Sequence, residues 1–275
     1  MMYPITMHDT VTEMIDFHTH TYLCGHATGT PEEYAASAYS KGITILGFSD
    51  HSPLPDGMRE NVTMRRDQTE EYLARIQKVK QEYIGKVDVR IGFEVDFPLR
   101  DSFDTAFLTD PRLDYLIGSC HYLGDWPIDY DGASPEYKIR GINNIYDAYY
   151  DSLLECAGSG FFNFLGHFDL PKKFGHHAST DMREKITAVA RAAAGSNTAV
   201  EINTSGLRKP VGEMYPSEKI VRILFEQNVP ITLGSDAHAP NEVGADIDKA
   251  SALLKKVGYT RIVAFKNRKQ FPVEL

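Results

Sequence analysis

The chain has 275 residues, 42% of them apolar, and a formal net charge of -9, enough to bury one full core, so a single domain over residues 1–275 is expected. The acidic balance disfavours nucleic acid, whose phosphate backbone calls for a basic surface, while a small phosphate ester held by local cations or metals stays open. Cys24, Cys120 and Cys156 suit neither a disulfide scaffold nor a zinc knuckle, Met1 to Glu13 lacks the marks of a secretory signal, and no apolar run reaches the length of a membrane span. A reducing cytoplasm is therefore expected.

Met14-Ile15-Asp16-Phe17 reads as a strand ending in His18-Thr19-His20. Alternate side chains of a strand share a face, so His18 and His20 can reach one metal while Thr19 points away. Thr30-Pro31-Glu32-Glu33 is a capping box with proline at the first helical position, and the helix it opens stops at Gly42. The next strand, Ile43 to Phe48, leads into Asp50-His51. A helix then opens at Asp67 to Glu70 and carries Tyr72, Ile76, Val79 and Tyr83 as its apolar stripe up to Gly85.

The same alternation continues to the end of the chain. Val87 to Phe93 leads into Glu94-Val95-Asp96, Tyr115 to Cys120 into His121, and Phe164 to Gly166 into His167. Ala199 to Ile202 leads into Asn203-Thr204-Ser205, and Ile231 to Ser235 into Asp236-Ala237-His238. Helices are expected at Ile142 to Ala157, Asp181 to Ala194, Ser217 to Gln227 and Ile247 to Val257. Strand alternating with helix implies a parallel sheet, and ligand-type residues at the carboxyl end of each strand imply one face of a barrel. Arg261 to Phe265 could add an eighth strand, but no such residue ends it, so closure by seven or eight strands stays open. Two long loops, Ser52 to Arg66 and Gly124 to Arg140, follow site strands, and either could form a wall or lid.

A single histidine at a strand end is more often a structural hydrogen-bonder than a ligand. Seven histidines, one glutamate and one aspartate recurring at strand ends reverse that reading. His8 and His176-His177 read as solvated loop residues. Asp50 is either a partner orienting His51 or a turn residue, and Asp96 either approaches the metals or supports them. Cys24 and Cys120 read as packing. Trp126 either stacks on a substrate ring or pins its loop, and Tyr146, Tyr149 and Tyr150 face either a dimer contact or the core.

His18-Thr19-His20, Ser49-Asp50-His51, Gly92-Phe93-Glu94, Ser119-Cys120-His121, Gly166-His167 and Gly234-Ser235-Asp236-Ala237-His238 resemble the marks of the polymerase and histidinol phosphatase (PHP) superfamily across nearly the whole chain. The resemblance implies a distorted TIM-like barrel of seven strand-helix units holding three divalent ions. It puts His18, His20, Glu94 and Asp236 on the first ion, Glu94, His121 and His167 on the second, and His26, His51 and His238 on the third. Imidazole and carboxylate ligands suit zinc, iron or manganese and do not choose among them. Glu201 to Lys209, Tyr215-Pro216 and Gly166 to Lys172 resemble the stand-alone histidinol-phosphate phosphatases more narrowly.

That narrower resemblance implies hydrolysis of L-histidinol phosphate to L-histidinol and phosphate, in histidine biosynthesis, by a metal-activated water. Asp236 or His238 would help deliver a proton to the leaving alkoxide. Arg208 is the first candidate for a phosphate clamp, against the alternative of a surface ion pair. Lys172 and Lys209 follow as substrate contacts, then Arg59, Arg65 and Arg66. Rival readings are a relative acting on another small phosphate ester or a nucleotide, a non-catalytic metal-binding module, and a barrel hydrolase of the amidohydrolase kind. The last would ordinarily bridge its metals with a lysine where this chain offers Glu94. Oligomeric state is not legible.

Overall fold

The computed structural model describes residues 13–55, 57, 58, 62–99 and 108–275. Its strands in chain order are β1 (Ile15–Asp16), β2 (Ile45–Phe48), β3 (Asp88–Asp96), β4 (Tyr115–Ser119), β5 (Tyr122–Leu123), β6 (Trp126–Pro127), β7 (Phe164–Leu165), β8 (Ala199–Asn203), β9 (Ile231–Gly234), β10 (Arg261–Lys266) and β11 (Lys269–Glu274). Its helices are α1 (Pro31–Ser40), α2 (Thr69–Glu82), α3 (Glu136–Arg140), α4 (Ile142–Gly158), α5 (Arg183–Ser196), α6 (Glu218–Glu226) and α7 (Ile247–Val257). β1, β2, β3, β4, β7, β8 and β9 pair side by side, all parallel, in a seven-stranded sheet.

The sheet curls until its two edges meet. Phe17 N donates to Leu233 O at 2.9 Å and His20 N to Ala237 O at 2.8 Å, and Thr19 forms a parallel bridge with Ala237. This nearly closed seven-stranded α/β barrel settles the open question of an eighth strand. Arg261 to Phe265 instead pairs antiparallel with β11 in a hairpin. The hairpin packs on the amino end of the barrel and puts Phe265 5.3 Å from Phe164 and 5.4 Å from Phe17, ring centroid to centroid. Tyr115 fills the space above it. A Cβ on Gly47 would lie 2.4 Å from the Tyr115 hydroxyl and one on Gly92 2.6 Å from its ring, so a side chain at either position would collide with the tyrosine.

The helices follow from their sequence signals. Thr30 and Glu33 form the reciprocal capping box, and Gly42 takes the positive φ of 75° that ends the turn after α1. Tyr72, Leu73, Ile76 and Val79 of α2 are buried, as are Tyr146, Tyr149 and Tyr150 of α4, so those tyrosines belong to the core. Each buried apolar side chain of this size contributes about 1.5–3 kcal/mol. The loop Gly124 to Arg140 holds β6, which pairs back on β5 just before it in a small hairpin, and α3, none of which periodicity announced. Among the described residues, no helix is long and apolar enough to cross a membrane.

Candidate metal centre

The carboxyl ends of the barrel strands bring their histidines around Glu94, which β3 delivers to the middle of the mouth. Glu94 Oε2 lies 3.3 Å from His18 Nε2, 3.3 Å from His20 Nε2 and 3.1 Å from His51 Nδ1. Glu94 Oε1 lies 2.9 Å from His167 Nε2 and 3.5 Å from His121 Nε2. One carboxylate thus faces two groups of imidazoles. Asp236 Oδ1 approaches His20 Nε2 at 3.3 Å and His18 Nε2 at 3.7 Å. His26 and His238 complete the rim, their Nε2 atoms 3.0 Å apart, and the His238 ring stacks on His20 at 4.6 Å.

Buried polar atoms normally carry hydrogen-bond partners. Here His18 Nε2, His20 Nε2, His51 Nδ1 and Glu94 Oε1 are buried without one. Four overlapping sets, His18-Glu94-His167, His18-His20-Asp236, His20-His51-Glu94 and His51-Asp96-His121, bring ligand atoms within 4.8 Å of one another. Converging imidazole nitrogens and carboxylate oxygens that lack hydrogen-bond partners are what a cation requires, so the residues present fit divalent metals.

The far sides of the rings are held by groups that aim them. Glu201, fully buried, accepts from His18 Nδ1 at 2.8 Å, from His167 N at 2.8 Å and from Asn203 Nδ2 at 2.9 Å. Asp96 Oδ1 takes His121 Nδ1 at 2.9 Å, so Asp96 supports the cluster through that ring. Asp236 adopts a left-handed φ of 51°, tolerable for an aspartate, and its Oδ2 accepts from Ser205 Oγ at 3.0 Å and Asn203 Nδ2 at 3.2 Å. Oδ1 is thereby turned to the imidazoles. Asp50 accepts instead from Thr21 N, Thr21 Oγ1 and Cys24 Sγ, and so holds the turn after His20 rather than the His51 ring. Cys24 Sγ, 3.2 Å from His20 Nδ1, does more than pack. Glu201 was the role missed in the sequence: a carboxylate in mid-strand, within an apolar run, is the signal that would have exposed it.

The electrostatics match this crowding. Burial alone would raise the Glu94 carboxyl, but His18, His51 and His121 outweigh it and hold the group well below the usual carboxylate range. Asp236 behaves likewise, burial opposed by His18, His20 and His238. His121 is pushed up to about 10: burial opposes the rise, and Asp96 and Glu94 prevail. His238 falls to about 3, through burial and then the neighbouring His20 charge.

A cavity of about 650 Å³ opens above the cluster. Its wall includes Leu54, Met58, Val62 and Thr63 from the first long loop and Tyr122, Pro127, Asp129 and Tyr130 from the second. Both loops are thus walls. Lys173 and Lys209 also line it, whereas Arg208 and Lys172 do not. Arg208 Nη2 donates to Ser235 O at 2.7 Å, with its Nε 3.6 Å from Glu242. Lys172 is buried between Asp169 at 2.9 Å and Glu213 at 2.7 Å. Arg65 pairs with Asp67, and Arg59 and His8 lie outside the described residues. Trp126 pins its loop, edge-on to Tyr137 at 5.0 Å and beneath Arg140 at 5.1 Å, while His176 stacks on Tyr137 at 4.2 Å.

A parallel barrel with imidazoles and carboxylates gathered at the carboxyl ends of its strands defines the class of α/β barrels able to hold divalent metals. Residues 16–205 match the model of the PHP domain, and the chain belongs to the PHP domain family. It is 44% identical over 263 residues to a Deinococcus radiodurans protein named "Probable histidinol-phosphatase", a match spanning 95% of this chain and 100% of that relative. The Bacillus subtilis protein named "Histidinol-phosphatase" is 29% identical over 83% of this chain and 95% of its own. The fold is shared with the histidinol phosphate phosphatase of Lactococcus lactis solved with zinc, L-histidinol and phosphate, at a TM-score of 0.81 and 24% identity over 94% of this chain and 99% of that one.

Proposed function

We infer that this protein is a metal-dependent histidinol-phosphatase, hydrolysing L-histidinol phosphate to L-histidinol and inorganic phosphate. The observation that carries the reading is the full-length match at 44% identity to a relative bearing that name, in a chain with an intact ligand cluster. Divalent ions held there would supply a hydroxide nucleophile at neutral pH and neutralise phosphoryl charge. His18, His20, Glu94 and Asp236 would hold one ion, Glu94, His121 and His167 a second, and His26, His51 and His238 a third. The opposed orientation of the two Glu94 oxygens supports a bridging role. Zinc, iron and manganese all suit these ligands.

The protein's own residues orient, neutralise and enclose. Glu201 and Asp96 fix which nitrogen of His18 and of His121 faces inward. Asp236 and His238, held on the ions, would take part in protonating the leaving alkoxide by passing a proton from water. Lys209 lines the cavity and would contact the phosphate from there, whereas Arg208 would have to leave the Ser235 carbonyl to clamp it. Lys172 acts through Asp169 and Glu213, bracing the wall. The three free, buried cysteines agree with a cytoplasmic location.

Phosphate release from L-histidinol phosphate, compared with nucleotides and other monoesters and using protein whose metals have been counted, tests the reading. Turnover on L-histidinol phosphate should exceed the others by orders of magnitude in kcat/KM and vanish in His20→Ala. Stronger turnover of a nucleotide would transfer the assignment to that ester.

A further inference from the structure

Among the described residues, the carboxylates lining the cavity are Glu94, Asp96, Asp129 and Asp236. Three of them are committed to the cluster: Glu94 faces the imidazoles, Asp96 holds His121, and Asp236 is fixed by Asn203 and Ser205. Asp129 stands apart. It lies on the loop after β6, its side chain 25% exposed, between the cavity-lining residues Pro127 and Tyr130. Lys173 Nζ binds its Oδ2 at 3.0 Å and its carbonyl oxygen at 2.7 Å, which secures the loop to the segment after β7 and engages one of the two carboxylate oxygens. Burial would raise this carboxyl, but Lys173, then His121 and His167, keep it ionised at neutral pH. Ile128 N, one residue before it, donates to His121 O at 2.9 Å, and Asp129 lines the same cavity as His121 and His167, which sets it beside the reacting end.

A substrate whose ammonium is separated from its ester oxygen by two carbons needs an anion close to the phosphate yet outside the metal ligands. We propose that Asp129 is that anion: it binds the ammonium group of the amino-alcohol phosphate and makes the site selective for esters carrying a cation at that position. The assignment rests on the histidinol-phosphatase reading. Lys173 is the positioning residue, presenting the carboxylate through the loop backbone as well as through its charge. A charge-assisted hydrogen bond of this kind is lost whole when the substrate lacks its donor.

The test pairs L-histidinol phosphate with its desamino analogue, 3-(imidazol-4-yl)propyl phosphate, on the metal-loaded full chain. Wild type should prefer the amino ester by about 10- to 100-fold in kcat/KM, the range of one charged hydrogen bond. Asp129→Asn should lower kcat/KM for the amino ester by a similar factor, mainly through KM, and change the analogue by less than about threefold. Equal losses on both esters would reduce Asp129 to a brace for its loop and overturn the proposal, as would an unchanged variant. Should Asp129→Asn fail to fold, the wild-type comparison decides alone: equal turnover of the two esters overturns the proposal. Absence of wild-type turnover on L-histidinol phosphate overturns the underlying reading and the assignment with it, an outcome distinct from turnover without discrimination.

Discussion

At the amino end of the barrel Asp114 is buried and accepts from Ile91 N at 3.1 Å, Asn267 N at 3.1 Å and Lys80 Nζ at 2.9 Å, and the Phe265 ring seals the floor. At the carboxyl end Glu94 is equally buried, yet its Oε1 and the His18 Nε2, His20 Nε2 and His51 Nδ1 atoms that face the carboxylate have no hydrogen-bond partner. The same sheet therefore spends its polar groups in two ways. Around Asp114 they satisfy one another and contribute to stability; around Glu94 they wait for a cation and ester, at a cost in stability that metal binding offsets.

Substitutions at the two ends should separate along that line. The largest effect is expected from Glu94→Gln, which removes the charge both imidazole groups face: activity should fall by roughly a thousandfold or more, with loss of bound metal by elemental analysis. Retention of full metal content and turnover would refute the central place given to Glu94. At the other end Phe265→Ala should destabilise the fold by about 3–5 kcal/mol in chemical denaturation while kcat/KM per folded molecule stays near wild type. A selective loss of turnover there would blur the division between the ends.

Glu201→Gln touches no cavity surface but loosens His18, and it should weaken metal affinity or activity by about 10- to 100-fold. Unchanged metal titration would show that the His18 contact at 2.8 Å is incidental. Proton linkage sharpens the contrast further. With His121 raised to about 10, the metal-free site holds a proton at neutral pH that a metal must expel. Metal affinity should therefore fall as pH is lowered, by about tenfold per unit for each proton displaced. Calorimetry in buffers of different ionisation enthalpy measures that release, and proton uptake would contradict it. The smallest effect belongs to the surface: Arg112→Ala, breaking pairs with Glu70 and Asp110, should cost less than about 1 kcal/mol and leave metal binding untouched.

Much of this division was legible along the chain. Seven strands, six of them ending in histidine, glutamate or aspartate, a capping box at Thr30 and apolar stripes such as Tyr72-Ile76-Val79 are local patterns, and they specify the parallel barrel and the side on which His18, His20, Glu94 and His121 emerge. The roles of Glu201, Asp50 and Cys24 were not legible in this way. Each depends on a partner far away in sequence or around a turn: Glu201 on His18 and His167, Asp50 on Thr21, Cys24 on His20. Lys172 and Arg208 read as phosphate ligands because cations near strand ends often are, but nearby carboxylates and a carbonyl engage them first.

By itself, then, the order of residues determined the strand-helix alternation and the set of groups able to bind metal, since periodicity and ligand chemistry are properties of short segments. Tertiary structure alone decided that seven strands close the ring and that the last hairpin plugs it, because closure depends on where Phe17 meets Leu233 and where Phe265 finds Phe164. It also decided which nitrogen of His18 and of His121 faces the centre. For these two rings the choice is made by the carboxylate behind them, Glu201 or Asp96, contributed by another strand, and no single segment contains both.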